Sequence, residues 1–171
     1  MTKILGVDLS LCSTGVVRLK DGKILSQKLI KSKPQGDFPI DELRRMLSIV
    51  DQIEVDGSDL VVIEGIAFAI RRTTSLVQLS ALNYLVRKKC HETGKKFCIV
   101  APNSLKKFIT GKGSGHKEMM LLEVFKKYGI SFDDNNLCDA WGLAQIGHCL
   151  LNKQEVPKYQ QEVINLIKKQ L

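Results

Sequence analysis

The sequence of 171 residues contains no apolar run long enough to cross a membrane and no Pro/Gly/Ser-rich stretch long enough to separate two cores. The first absence argues against a membrane-spanning helix, and the second predicts one domain over 1–171. Met1 to Gly6 leads directly into a short apolar run, without the basic segment and small-residue cleavage site of a secretory leader. Internal repeats and low-complexity tracts are missing as well. The five cysteines, Cys12, Cys90, Cys98, Cys138 and Cys149, are odd in number, and none stands at the short spacing of a zinc site. Buried free thiols in a reducing cytoplasm are therefore expected, a host's cytoplasm if the chain is viral or phage-encoded. His91, His116 and His148 share no metal-ligand spacing, so no histidine centre is implied.

What is present is a globular composition, 44% hydrophobic and 26% charged, with enough apolar side chains for a core. Base exceeds acid, 26 Lys and Arg against 18 Asp and Glu, for a formal net charge of +8. That balance favours a polyanionic partner, because each cation placed on a phosphate releases condensed counterions.

The pattern along the chain is of alternating short strands and longer helices. Lys3 to Asp8 reads as a buried strand, and Val16 to Leu19 and Lys23 to Ile30, parted by Asp21-Gly22, as the next two strands of a meander. Leu43, Leu47, Val50 and Ile53 recur at helical spacing and predict an amphipathic helix from Ile40 to Val55. Leu60 to Ile63 is a fourth strand, Thr74 to Glu92 the longest helix, and Phe97 to Val100 a fifth strand ahead of a short helix at Pro102. Helices from about His116 to Tyr128 and Asn136 to Leu151 follow, and the tail from Pro157 is one more, using Val163, Ile164 and Ile167. Three antiparallel strands followed by strand–helix alternation predict a three-layer α/β domain, a mixed five-stranded sheet with helices on both faces. Trp141, Gly142, Ala144 and Gly147 mark tight packing of the helix that carries them.

Within this pattern three carboxylates stand out. Asp8 ends the apolar run ILGVD, Glu64 ends LVVIE, and Asp139 lies in the first turn of a largely apolar helix. A buried carboxylate requires a cation, hydrogen-bond donors or a changed protonation state. Singly, each has a plain alternative: a turn residue, a strand-end charge, a helix N-terminal charge favoured by the dipole. In α/β sheets, however, sites gather at the carboxyl ends of strands, where both Asp8 and Glu64 fall. Two carboxylates about 4 Å apart repel by roughly 4 kcal/mol at an effective dielectric near 20, which a divalent metal turns into attraction. Magnesium prefers such oxygen ligands, and two ions together support phosphodiester hydrolysis. LKKFITGKGSGHK adds Lys106, Lys107, Lys112 and Lys117 around a glycine-rich loop suited to phosphate, unless it is merely a solvated charged loop.

The runs GVDLSLCSTG, VVIEGIAF, LKKFITGKGSGHKEMM and NNLCDAWGLA, in this order and spacing, resemble the RuvC-type Holliday-junction resolvases of the ribonuclease H-like superfamily, from Lys3 to about Leu151. The resemblance implies a ribonuclease H-like fold and a homodimer that makes two symmetric nicks in branched DNA, with Mg2+, or Mn2+ in its place, bound as two ions per site. By the same resemblance Asp8, Glu64 and Asp139 fall on three of the family's four metal-binding acids, and Lys106 and Lys117 on two lysines used at the DNA near the cut.

Two positions depart from that pattern. The remaining acid is here Asn136, which either offers a neutral oxygen, or leaves the role to Asp133 or Asp134, or simply caps the helix beginning there. The aromatic wedge expected three residues after Glu64 is here Ala67, with Phe68 next to it as either a shifted wedge or a core residue. Arg71 and Arg72 either grip phosphates or are exposed charges ahead of a Thr N-cap. The longest helix, Thr74 to Glu92, is the expected dimer interface. The competing readings are an RNA-processing nuclease of the same fold and a junction-binding protein that has lost catalysis. An actin-like ATP-binding fold would need two lobes, for which one domain is too short.

Overall fold

Apolar runs bounded by turn residues become the strands. The computed structural model describes residues 1–66, 74–114 and 117–171, the side chains of Lys117 and Glu118 excepted. Strands β1 (Lys3–Asp8), β2 (Ser13–Lys20) and β3 (Lys23–Lys31) form an antiparallel meander. Strands β4 (Leu60–Glu64) and β5 (Phe97–Val100) add in parallel on the other side of β1, giving the order β3-β2-β1-β4-β5. The β2–β3 turn is made by Asp21 and Gly22, with φ of 48° and 81°, the left-handed pair that a two-residue hairpin matched to strand twist requires.

Helices α1 (Ile40–Gln52) and α2 (Thr74–Glu92) cover one face of the sheet. Helices α3 (Pro102–Thr110), α4 (Lys117–Tyr128), α5 (Asn135–Asn152) and α6 (Lys158–Lys168) build the other. Alternation along the inner strands divides them between two cores. Ile4, Leu60, Val62, Cys98 and Val100 pack toward α5, while Leu5, Val7, Val61 and Ile63 pack toward α1 and α2. Strands buried on both faces explain why these runs read as continuously apolar.

Helix ends follow local chemistry. Helix α3 begins with Pro102 in its first turn and stops at Gly111, whose φ of 82° closes it in the left-handed conformation. Helix α5 is capped by Asp134, whose Oδ1 accepts from the Asn136 amide at 2.8 Å. The cap thus falls on Asp134 and the helix starts at Asn135, so Asn136 lies inside the helix and does not cap it.

Helix α1 differs from its sequence reading. It ends at Gln52, and its buried residues are Met46, Ile49 and Val50, whereas Leu43 and Leu47 are exposed. The sequence stripe of Leu43, Leu47, Val50 and Ile53 keeps only its last two members inside, and packing in one core with Leu82 and Val86 of α2 buries Met46 and Ile49 beside them. Cys12 likewise departs from expectation, being exposed while the other four thiols are buried. Burial pushes Cys90 and Cys149 up to about 11 and Cys98 and Cys138 up to about 12, which keeps these thiols protonated and inert.

The small residues bring α5 directly onto the sheet. A Cβ at Gly6 would stand 1.9 Å from the Ala140 carbonyl oxygen, and one at Gly15 2.1 Å from that of Asn136. From the helix side, a Cβ at Gly147 would meet Ile4 and Val62, each at 2.7 Å, and one at Gly142 would meet Leu105 of α3 at 2.8 Å. Trp141 fills the space behind, edge-on to Tyr128 with ring centroids 4.9 Å apart.

Candidate active site

These contacts determine where the three acids go. Asp8 pairs with Gly15 across the β1–β2 ladder, and on the β4 side it comes one step beyond the Val7–Ile63 pair, level with Glu64. Because Ile4 and Gly6 face α5, strand alternation turns Asp8 to the same face; Leu60 and Val62 do the same for Glu64. Helix α5 enters at this end of the sheet, with Asn136 against Gly15 and Ala140 against Gly6. Asp139 is one residue before Ala140 and three before Gly142, which faces α3, so it flanks the sheet-facing stripe on the α3 side. Asp8 on β1, Glu64 on β4 and Asp139 on α5 therefore lie toward one end of one face. Asp8 is only 6% exposed, and Glu64 and Asp139 are half-buried.

Supporting residues hold this end in place. Asn83 of α2, 1% exposed, donates from Nδ2 to the Glu64 carbonyl oxygen at 2.8 Å and accepts from Arg87 Nε at 2.7 Å. Gly65, next in the chain, donates to the Val100 carbonyl at 2.7 Å and ties the end of β4 to that of β5. The loop after Asp8 is shaped by buried Thr14, whose Oγ1 donates to the Ser10 carbonyl at 2.7 Å and accepts from the Ser10 amide at 3.1 Å. Asn83 and Thr14 were missed in the sequence. The available signal was an asparagine placed among Leu79, Leu82 and Val86 on the apolar side of its helix.

The basic residues separate into groups. Lys106 is half-buried on α3 and Lys112 exposed in the loop beyond it. A Cβ at Gly113 would lie 3.6 Å from the Asn103 carbonyl, so this loop folds back to the first turn of α3, at the carboxyl end of β5. Lys117 opens α4, its side chain outside the described residues. Lys107 points elsewhere: its Nζ lies 2.6 Å from Glu162 Oε2 on α6, and that hydrogen bond holds the Glu162 carboxyl below the usual range. Phe68, Arg71, Arg72 and His116 lie outside the described residues.

As a donor set, the site offers hard oxygens. Among the described residues no three His, Cys, Asp or Glu side chains form a ready metal-binding group. A magnesium site does not need one, since that ion keeps several waters and takes one or two carboxylates together with substrate phosphate. A further oxygen lies in the same helical turn: Asn135 Oδ1 is buried without a hydrogen-bond partner among the described residues, four positions before Asp139 and on its side of α5. An amide oxygen without a partner among the described residues, and carboxylates on three neighbouring elements, are the donor chemistry that a hard divalent cation takes.

The mixed sheet in this strand order, with helices on both faces and acids at the ends of its two adjacent central strands, defines the ribonuclease H-like α/β class. Within it, the chain is similar to RuvC of Thermus thermophilus, with a TM-score of 0.68 at 18% identity over 89% of this chain and 97% of that one. It is similar also to T. thermophilus RuvC in complex with a Holliday junction substrate, TM-score 0.69 at 16% identity over 89% and 96%. The Fowlpox virus resolvase, solved with Holliday junction DNA, superposes with a TM-score of 0.59 at 14% identity over 88% and 99%. No family model and no curated protein sequence matches the chain. At these identities the likeness is one of fold.

Proposed function

We propose that the protein is a structure-specific DNA endonuclease that resolves Holliday junctions by metal-dependent phosphodiester hydrolysis. The observation that carries this reading is the placement of Asp8, Glu64 and Asp139 toward the same end of one face of a ribonuclease H-like sheet. Asp8, Glu64 and Asp139 would hold magnesium or manganese, with a neutral amide oxygen of Asn136 or Asn135 beside them. When bound, such ions supply positive charge to the attacking and leaving oxygens of an in-line displacement. The chain's own part would be to supply carboxylates from three elements at one end of the sheet, and to bring Lys106, Lys112 and Lys117 to the phosphates on the α3 side. Two symmetric nicks require two such sites, and a homodimer through α2 would supply them. Val77 and Tyr84, both exposed and seven residues apart on α2, support that surface as the interface.

The decisive experiment is incubation of the protein with a labelled four-way DNA junction, with and without magnesium. Paired, symmetric, metal-dependent cuts are expected; cutting of RNA in preference to junction DNA, or binding with no cutting at any metal concentration, would overturn the reading.

Asn136 gives a finer prediction. Asn136→Asp places a negative charge beside Asp8 and is expected to lower the magnesium concentration needed for half-maximal cleavage, while Asn136→Ala raises it. Because the helix cap is Asp134, loss of stability belongs to Asp134→Ala, about 1 kcal/mol, with the magnesium requirement unchanged. Superimposable magnesium titrations for the wild type and both Asn136 variants would return the fourth oxygen to Asn135 or Asp133.

A further inference from the structure

At the free edge of the sheet, the end of β3, the segment 32–39 and α1 enclose a cleft of about 800 Å³. Its walls carry Lys31, Lys33, Arg44 and Arg45 against Asp37 and Asp41. None of the four cations is in an ion pair among the described residues. The Asp41 carboxylate instead accepts from the Gln35 amide at 3.2 Å. Arg45 is fixed in the wall: its Nε donates to Ser32 Oγ and its Nη2 to the Leu11 carbonyl, each at 3.1 Å. Leu11 belongs to the loop that leaves Asp8, and the next carbonyl of that loop, Cys12, accepts from the Ser32 amide at 3.1 Å. The cleft wall and the loop after Asp8 are thus one hydrogen-bonded unit.

Its place in the fold is equally specific. Lys31 pairs with Ser13, beyond the Asp8–Gly15 pair, so the cleft opens at the end of the sheet toward which the acids lie. It lies on the α1 side, where Ile30 is buried, whereas Asp8, Glu64 and the lysine loop after α3 belong to the α5 side. Cations therefore flank the acids on both sides.

We propose that this cleft grips the phosphate backbone of a DNA arm leading away from the cut site. The proposal rests on the resolvase reading and extends it to a surface whose lining residues lie outside the sequence motifs. Four cations outnumber two carboxylates in this concave wall, and none of the four is neutralised in an ion pair among the described residues, so the wall keeps a net positive potential that draws in a polyanion. The Arg45 guanidinium, already held in place, loses little freedom on gripping a phosphate. A small anion would be served by either flank alone. A ligand that uses both, with the acids between them, is a long chain of phosphates whose scissile bond lies at the centre.

The test is equilibrium binding of the full chain to a labelled four-way junction across a salt series, without divalent metal. Lys33→Ala/Arg44→Ala alters two exposed side chains of the cleft, and Lys95→Ala/Lys96→Ala removes the same charge just before β5, at the opposite end of the sheet. The cleft variant is expected to bind on the order of tenfold more weakly and to lose about two units from the slope of log affinity against log salt, whereas the control keeps the wild-type slope. An unchanged slope in the cleft variant, or an equal loss in the control, would overturn the proposal while wild-type binding and cutting left the resolvase reading intact. A wild type with no salt-dependent affinity for any junction would overturn both.

Discussion

Asp8→Asn and Glu64→Gln are expected to reduce junction cleavage by more than about 100-fold, beyond what loss of groups that merely orient metal ligands produces. Each substitution keeps the shape of the side chain and one oxygen but removes a unit of negative charge from the end of a central strand. Junction binding should persist, because phosphate contact is assigned to lysines and arginines on other elements. Removing an anion near a polyanion tightens association if it changes it at all. Paired measurements of single-turnover cleavage in magnesium and of affinity without metal separate the two effects. Full cutting by either variant would remove these acids from the reaction, and parallel loss of binding would make them structural.

Gly6→Ala carries the largest expected effect on stability. A methyl there would stand 1.9 Å from the Ala140 carbonyl oxygen and 2.7 Å from the Ala144 amide nitrogen. Both are backbone atoms in the middle of α5, so no rotamer change relieves the overlap and the helix must lift as a body. Overpacking of well-filled cores costs about 1–3 kcal/mol when side chains can yield, and the loss here should exceed that range. Gly94→Ala is the comparison: its φ of 65° is unfavourable for alanine, but nothing lies within 4 Å of its Cβ position. That variant reports backbone conformation alone, about 1 kcal/mol. Denaturant unfolding of both checks the difference, and equal losses would mean that α5 does not sit on β1 as described. Any Gly6→Ala protein that still folds should cut poorly, since lifting α5 carries Asp139 away from Asp8.

Much of this architecture was legible along the chain. Strands β1 and β5 and helix α2 were read with their observed ends, because a run such as ILGVD admits only a buried strand and Asp21-Gly22 only a tight hairpin. Local signals were less informative where two residues compete for one role. Asn136 and Asp134 are comparable N-caps, and the choice depended on where the chain leaving α4 meets β2 at Gly15. In α1 the periodicity pointed to Leu43 and Leu47, and only the neighbours decided that Met46 and Ile49 are buried in their place.

By itself, the sequence determined which segments become strands and helices and singled out three acids as candidates, because each reading depends on the order of residues along one strand or helix. Only the tertiary structure decided that Lys107 turns to Glu162, that Asn83 holds Glu64 and that Arg45 joins a basic cleft to the loop after Asp8. The reason is physical: these are contacts from a side chain to a group 19 or more residues away on another element, set by how closely the helices approach the sheet and one another. That approach depends on glycine positions facing particular backbone atoms, a relation that exists only once the chain has closed on itself.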